Sequence, residues 1–142
     1  MAIPSHIELQ IVTPDRPIAS YKVDEVEIPG TNGYFGVLPG HTPLLAMLKP
    51  GELWYRTGSL KTTLVIDFGT AEVLPDRVSV LITLAERPED IDPARQQAAR
   101  QQAEQEMKQA VSLEDAERAR VALLTALIKL RAAEQVRAKR GV

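Results

Sequence analysis

Ile28-Pro29-Gly30-Thr31-Asn32-Gly33-Tyr34-Phe35-Gly36-Val37-Leu38-Pro39-Gly40-His41-Thr42-Pro43-Leu44-Leu45 holds four of the chain's eight glycines and three of its ten prolines. Glycine supplies positive φ, and proline presets φ near about −65° while removing a donor, so this density reads as consecutive tight turns between very short strands. A loop specified this closely is built to hold one shape.

Outward from it, residues 7 to about 85 read as short β runs. Ile7, Leu9 and Ile11 alternate with Glu8 and Gln10, and Val26 and Ile28 alternate with Glu25 and Glu27. Leu64, Ile66 and Phe68 form a third set. The clearest run sets Val78, Val80, Ile82 and Leu84 on one face against Ser79, Leu81 and Thr83 on the other. Turn dipeptides from Pro14-Asp15 to Pro75-Asp76 recur at the spacing of a sandwich or barrel. The expected core adds Leu38, Leu44, Leu48 and Trp54 to the alternating aliphatics.

The composition shifts at Glu86-Arg87-Pro88-Glu89-Asp90, a polar linker. Asp92 is a good N-cap and Pro93 suits a first helical position, and no proline or glycine follows until Gly141. Ser112 can cap a second helix whose first turn holds Glu114 and Asp115, so helices are predicted over roughly 93–110 and 113–138. The fold class is therefore β + α: an N-terminal antiparallel β-sandwich over residues 1–86, then a linker and a two-helix antiparallel hairpin over residues 87–142.

The helix faces are unequal. Ala99, Ala103, Met107 and Ala110 make a narrow stripe, whereas Leu113, Ala116, Val121, Leu123, Leu124, Leu127, Ile128 and Leu130 cover nearly half of the second helix. The second helix should then need a further surface, which the hairpin would find on the sandwich in one state and on a partner in another.

Charge excludes some functions. With 17 basic and 19 acidic residues the chain is net −2, without the basic field that nucleic-acid binding needs. Residues 1–91 are net acidic and residues 92–142 net basic, with Lys129, Arg131, Arg137, Lys139 and Arg140 against Glu134 at the end. That excess either matches the helix dipole or meets an acidic partner. Arg120 and Arg131 fall within the apolar face, either snorkelling beside Glu117 and Glu134 or reserved for such a partner.

No catalytic or metal site can be assembled. There is no cysteine, and His6 and His41 stand far apart without a nucleophile in a recognisable motif. His41 reads best as a turn histidine holding backbone carbonyls. The Gly30, Gly33, Gly36 spacing lacks the helix that would make it a phosphate loop. The N-terminus has no signal pattern and no run approaches a membrane span, so a soluble chain is expected.

The block from Gly33 to Leu45, with Lys49-Pro50-Gly51 and Ile91-Asp92-x-x-Arg95, closely resembles the ε subunit of F-type proton-translocating ATP synthases over essentially the whole chain. The resemblance implies a non-catalytic rotor subunit that binds γ, sits on the c-subunit ring and extends its hairpin to the α/β catalytic head to inhibit ATP hydrolysis. Such a chain is peripheral to the membrane, on the cytoplasmic face in bacteria or the stromal face of thylakoids. It implies c-ring contacts at one end of the sandwich through Gly30, Thr31, Asn32, Gly33, Tyr34, His41, Thr42 and Pro43. Tyr34 replaces an acidic residue found in some members and suits an aromatic anchor. Arg118, Arg120, Lys129, Arg131 and Arg137 would meet the catalytic β subunit. Some members bind ATP at a motif that Ile91, Asp92 and Arg95 match, although Gln96, Thr125 and Lys129 depart from it. No cofactor is otherwise implied. The rival readings are a rotor subunit with a static hairpin and a self-associating, ligand-binding sandwich.

Overall fold

The structure, a computed structural model, describes residues 2–140, without the side chains of Lys139 and Arg140. The basic side chains expected at Lys139 and Arg140, and Gly141, therefore lie outside the described residues. The chain divides into two compact units, Met1–Ala85 and Glu86–Val142.

The first unit is the sandwich. Its strands are β1 (Ile7–Val12), β2 (Ala19–Val23), β3 (Glu25–Gly30), β4 (Gly33–Val37), β5 (Leu44–Leu48), β6 (Gly51–Thr57), β7 (Leu60–Ile66), β8 (Gly69–Val73) and β9 (Arg77–Ile82), with a two-residue β10 (Ala85–Glu86) at the boundary. The order is β10-β7-β6-β3-β5-β8-β9-β1-β2, with β4 also paired to β3. Gly30 opposite Leu48 is where β3 meets β5 and the first group of strands passes into the second.

Alternation explains the core. Ile7 and Leu9 of β1, Val26 and Ile28 of β3, Leu53 of β6 and Val78 and Val80 of β9 are all fully buried, each on the inward side of a period-two strand. Three expectations need correction. β1 pairs with β9 in parallel, Leu9 opposite Val78, so the sandwich is not wholly antiparallel. Leu38 and Leu44 are not core residues, being 56% and 41% exposed. Leu38 sits in a turn and Leu44 at a strand end, beyond the reach of the facing strands. Phe68 lies past the end of β7 and is also largely exposed.

The second unit holds a single 3-10 turn (Pro88–Asp90), then α1 (Pro93–Gln109) and α2 (Leu113–Arg140). The starts are as the sequence predicts. The Asp92 carboxylate accepts from Ala94 N–H at 3.0 Å with Pro93 in the first turn, and Ser112 Oγ accepts from Asp115 N–H at 3.0 Å. The buried faces differ from expectation. Ala103 is the buried residue of α1. Among the described residues of α2, Ala119, Ala126, Leu130, Ala132 and Ala133 are buried, while Leu113, Leu124 and Leu127 remain 89%, 38% and 41% exposed. Small side chains thus hold most of the buried positions of both helices, and Leu113, Leu124 and Leu127 stay on the exposed side. Among the described residues no helix is long and apolar enough to cross a membrane.

Candidate functional site

The turn-rich stretch resolves into two rigid turns. β3 and β4 form a hairpin, Gly30 opposite Gly33, whose connecting residues Thr31 and Asn32 are exposed. Gly33 takes a φ of 130°, and among the described residues no non-glycine has positive φ. Gly30 and Gly36 need no such freedom, because both lie in strands. The hairpin end is tied at two points. Thr31 N–H donates to the Met47 carbonyl at 2.9 Å and Lys49 N–H to the Pro29 carbonyl at 3.1 Å.

Tyr34 lies against this bracing segment. It is 50% exposed, with its hydroxyl accepting from Glu52 N–H at 3.2 Å and Lys49 Nζ 5.7 Å from its ring centroid. The close approach requires glycine at position 51, where a Cβ would stand 2.6 Å from Tyr34 Oη and 2.9 Å from Pro29 Cβ. Tyr34 thus presents one side of a fixed ring.

The second turn is Leu38-Pro39-Gly40-His41. His41 N–H donates to the Leu38 carbonyl at 3.2 Å, and Gly40 has a φ of 86°, the arrangement of a type II turn with proline first and glycine second. Gly40 N–H donates onward to the Pro75 carbonyl at 2.8 Å. His41 Nδ1 donates to the Thr42 carbonyl at 2.6 Å, the backbone-holding role that its sequence setting favours.

These two turns flank β5. The hairpin bonds to Met47 near the end of β5, whereas His41, Thr42 and Pro43 lead into Leu44 at its start. A contact taking in both must span the strand, about 13 Å at roughly 3.3 Å per residue. Between them lies a feature that sequence reasoning missed. Leu45 and Met47 point outward at 78% and 62% exposure, and Leu81 of β9 is 50% exposed. The connection runs through β8, with Met47 opposite Thr70 and Thr70 opposite Leu81. The signal was present: Leu44-Leu45-Ala46-Met47-Leu48 is apolar on both faces, the pattern of a strand covered twice.

The predicted cations of α2 have different fates. Arg118 pairs with Glu114 at 3.5 Å, both largely exposed. Arg120 donates Nε to Glu117 Oε2 at 3.0 Å, and this hydrogen bond lowers the Glu117 pKa and raises that of Arg120. Arg131 and Arg137 are exposed and make no ion pair among the described residues. Lys129 is withdrawn from solvent, paired with Glu86 at 2.8 Å. Of the nucleotide-motif residues, Ile91 is buried, Asp92 is the helix cap and Arg95 is exposed.

The beta-sandwich domain of the ATP synthase delta/epsilon chain family matches residues 6–88. The chain belongs to this family. Relatives extend the likeness to the helices. An ATP synthase epsilon chain of Herpetosiphon aurantiacus is 44% identical over 90% of this chain and 94% of its own length. That of Syntrophobacter fumaroxidans is 44% identical over 91% and 96%. Among solved structures, a chain of the Euglena gracilis mitochondrial ATP synthase, in a structure of OSCP, F1 and c ring, matches with a TM-score of 0.82 at 27% identity, over 94% of this chain and 84% of that one. A chain from the Tetrahymena thermophila central stalk and c ring shares the fold, with a TM-score of 0.64 at 14% identity. The epsilon chain is a non-catalytic component of the synthase, in agreement with a site built for contact.

Proposed function

We propose that this chain is the rotor subunit that links γ to the c ring, and that its C-terminal helices inhibit ATP hydrolysis. The observation that carries the reading is the braced, uncovered surface along β5. Its two turns are fixed by backbone hydrogen bonds, and Leu45 and Met47 stand bare between them. Torque transmission favours contacts that do not deform, and exposed apolar patches rimmed by polar residues mark protein interfaces. In this reading Gly30, Thr31, Asn32, Gly33 and Tyr34 meet the polar loops of the c ring. His41, Thr42 and Pro43, across the strand, continue into the apolar face that γ covers.

The inhibitory role is assigned to α2, whose Arg118, Arg131 and Arg137 are exposed and ready for acidic groups on the catalytic head. The complex would hold the subunit peripherally, on the cytoplasmic side of a bacterial membrane or the stromal side of a thylakoid. ATP is not assigned a site, because Asp92 already serves as a cap and Ile91 is packed away. Calorimetry with millimolar ATP should show no binding heat.

The test is to reconstitute the catalytic head with γ and measure ATP hydrolysis with the full chain and with a version ending at Asp90. Both should bind γ, and only the full chain should inhibit. Binding without inhibition by either form removes the regulatory half. Failure of both to bind γ removes the rotor reading.

A further inference from the structure

Lys129 and Glu86 form an ion pair unlike the others of the second unit. Arg100–Glu104, Arg118–Glu114 and Arg120–Glu117 each join neighbours on one helix in exposed positions. Lys129 Nζ instead reaches Glu86 Oε1 at 2.8 Å, far away in the chain, with the two side chains only 14% and 24% exposed. The lysine rises from the buried side of α2, one residue before Leu130 and at helical spacing from Ala126 and Ala133, all three buried. Its carboxylate partner opens the segment leading into the hairpin. That segment is itself packed down, since the 3-10 turn lies against α2 and Pro88 and Ile91 are buried.

We propose that Glu86 and Lys129 form a latch that holds α2 on residues 86–91, so that the hairpin extends only when this pair breaks. The inference rests on the regulatory reading above, in which the hairpin changes shape. Whatever surface α2 then reaches, it must first leave this segment. A partly buried ion pair is screened less by salt than a surface pair, and removing one partner strands an uncompensated charge. Breaking it therefore has a definite cost, which an acidic surface on the partner offsets by offering Lys129 a replacement carboxylate. The latch makes closure and docking compete for one ammonium group.

The experiment uses the full-length protein alone. Hydrogen exchange of amides over residues 89–91 and 124–134 is compared for wild type, Glu86→Lys, Lys129→Glu, the double reversal and the milder Glu86→Gln. Each single reversal should speed exchange by at least about tenfold, because it sets two like charges against each other at a partly buried position. The double reversal should recover most of that, and Glu86→Gln should lie between. Protection of Val26 and Ile28 in the sandwich serves as the folding control. Where a reversal fails that control, Glu86→Gln decides alone.

Unchanged exchange in the single variants, or no recovery in the double, overturns the latch. A parallel ATP-hydrolysis assay separates this from the reading beneath it. Faster exchange in the variants, with no inhibition by any form, supports the latch and removes the regulatory role. Inhibition by the wild type with exchange unmoved in the variants removes the latch and leaves regulation standing.

Discussion

The sandwich buries Ile7, Leu9, Val26, Ile28, Leu53 and Val80 completely, whereas the hairpin buries Ala103, Ala119, Ala126, Ala132 and Ala133 with Leu130 as its one large side chain among them. Burying a valine, leucine or isoleucine contributes about 1.5–3 kcal/mol, and an alanine methyl far less. The first unit is thus held by many large contributions that are lost together. The second is held by small ones, helped by caps and a partly buried ion pair. Under the proposed function, the former suits a unit that transmits force and the latter a unit that lets go.

The largest test of this contrast replaces one leucine in each unit. Leu53→Ala should destabilise the sandwich by about 2–5 kcal/mol, lowering its urea midpoint. Leu130→Ala should leave that midpoint in place and appear as faster exchange in α2. If either change loosened both units equally, the contrast would fail. Next in size, Gly51→Ala should cost about 1–3 kcal/mol, since its Cβ must displace the Tyr34 hydroxyl. It should also weaken c-ring binding more than a core change of equal cost, measured by copurification with the ring.

Ser112→Ala removes the acceptor for Asp115 N–H and should lower hairpin stability by about 1 kcal/mol, read from α2 exchange with the sandwich untouched. The smallest effect is electrostatic. The Arg120 hydrogen bond lowers the Glu117 pKa, so its contribution is present at neutral pH and disappears as pH falls through that lowered value. Carboxyl NMR should find Glu117 titrating below the ordinary glutamate value, and Arg120→Gln should move it back toward that value without a measurable change in thermal midpoint.

What was legible in the sequence was local. Asp92-Pro93 and Ser112 announce helix starts because a cap is settled within four residues, and the alternation from Val78 to Ile82 reveals its buried face for the same reason. Gly40 and Gly33 were correctly read as turn glycines. The errors concern partners distant in the chain. Leu44 looks like core until it is seen to open β5, and Leu113, Leu124 and Leu127 look like a buried face until alanines are found at most of the buried positions of α2. Lys129 was read as a free cation because nothing near it in sequence points to Glu86. In the candidate site, the turns at Thr31-Asn32 and Pro39-Gly40 were recognisable from their glycines and prolines, but the apolar face between them required the strand order to be known.

The parallel pairing of β1 with β9 carries a consequence for how the molecule comes into being. Leu9 and Val78 are adjacent in the finished sheet yet lie at opposite ends of the first unit's sequence. During synthesis β1 can find β2 early, but its other edge stays open until β9 has left the ribosome, and such long-range pairing is slow. The first strand made is among the last to be enclosed. Stalled nascent chains should therefore stay protease-sensitive until residue 82 is outside the exit tunnel, and become resistant before the helices have left it.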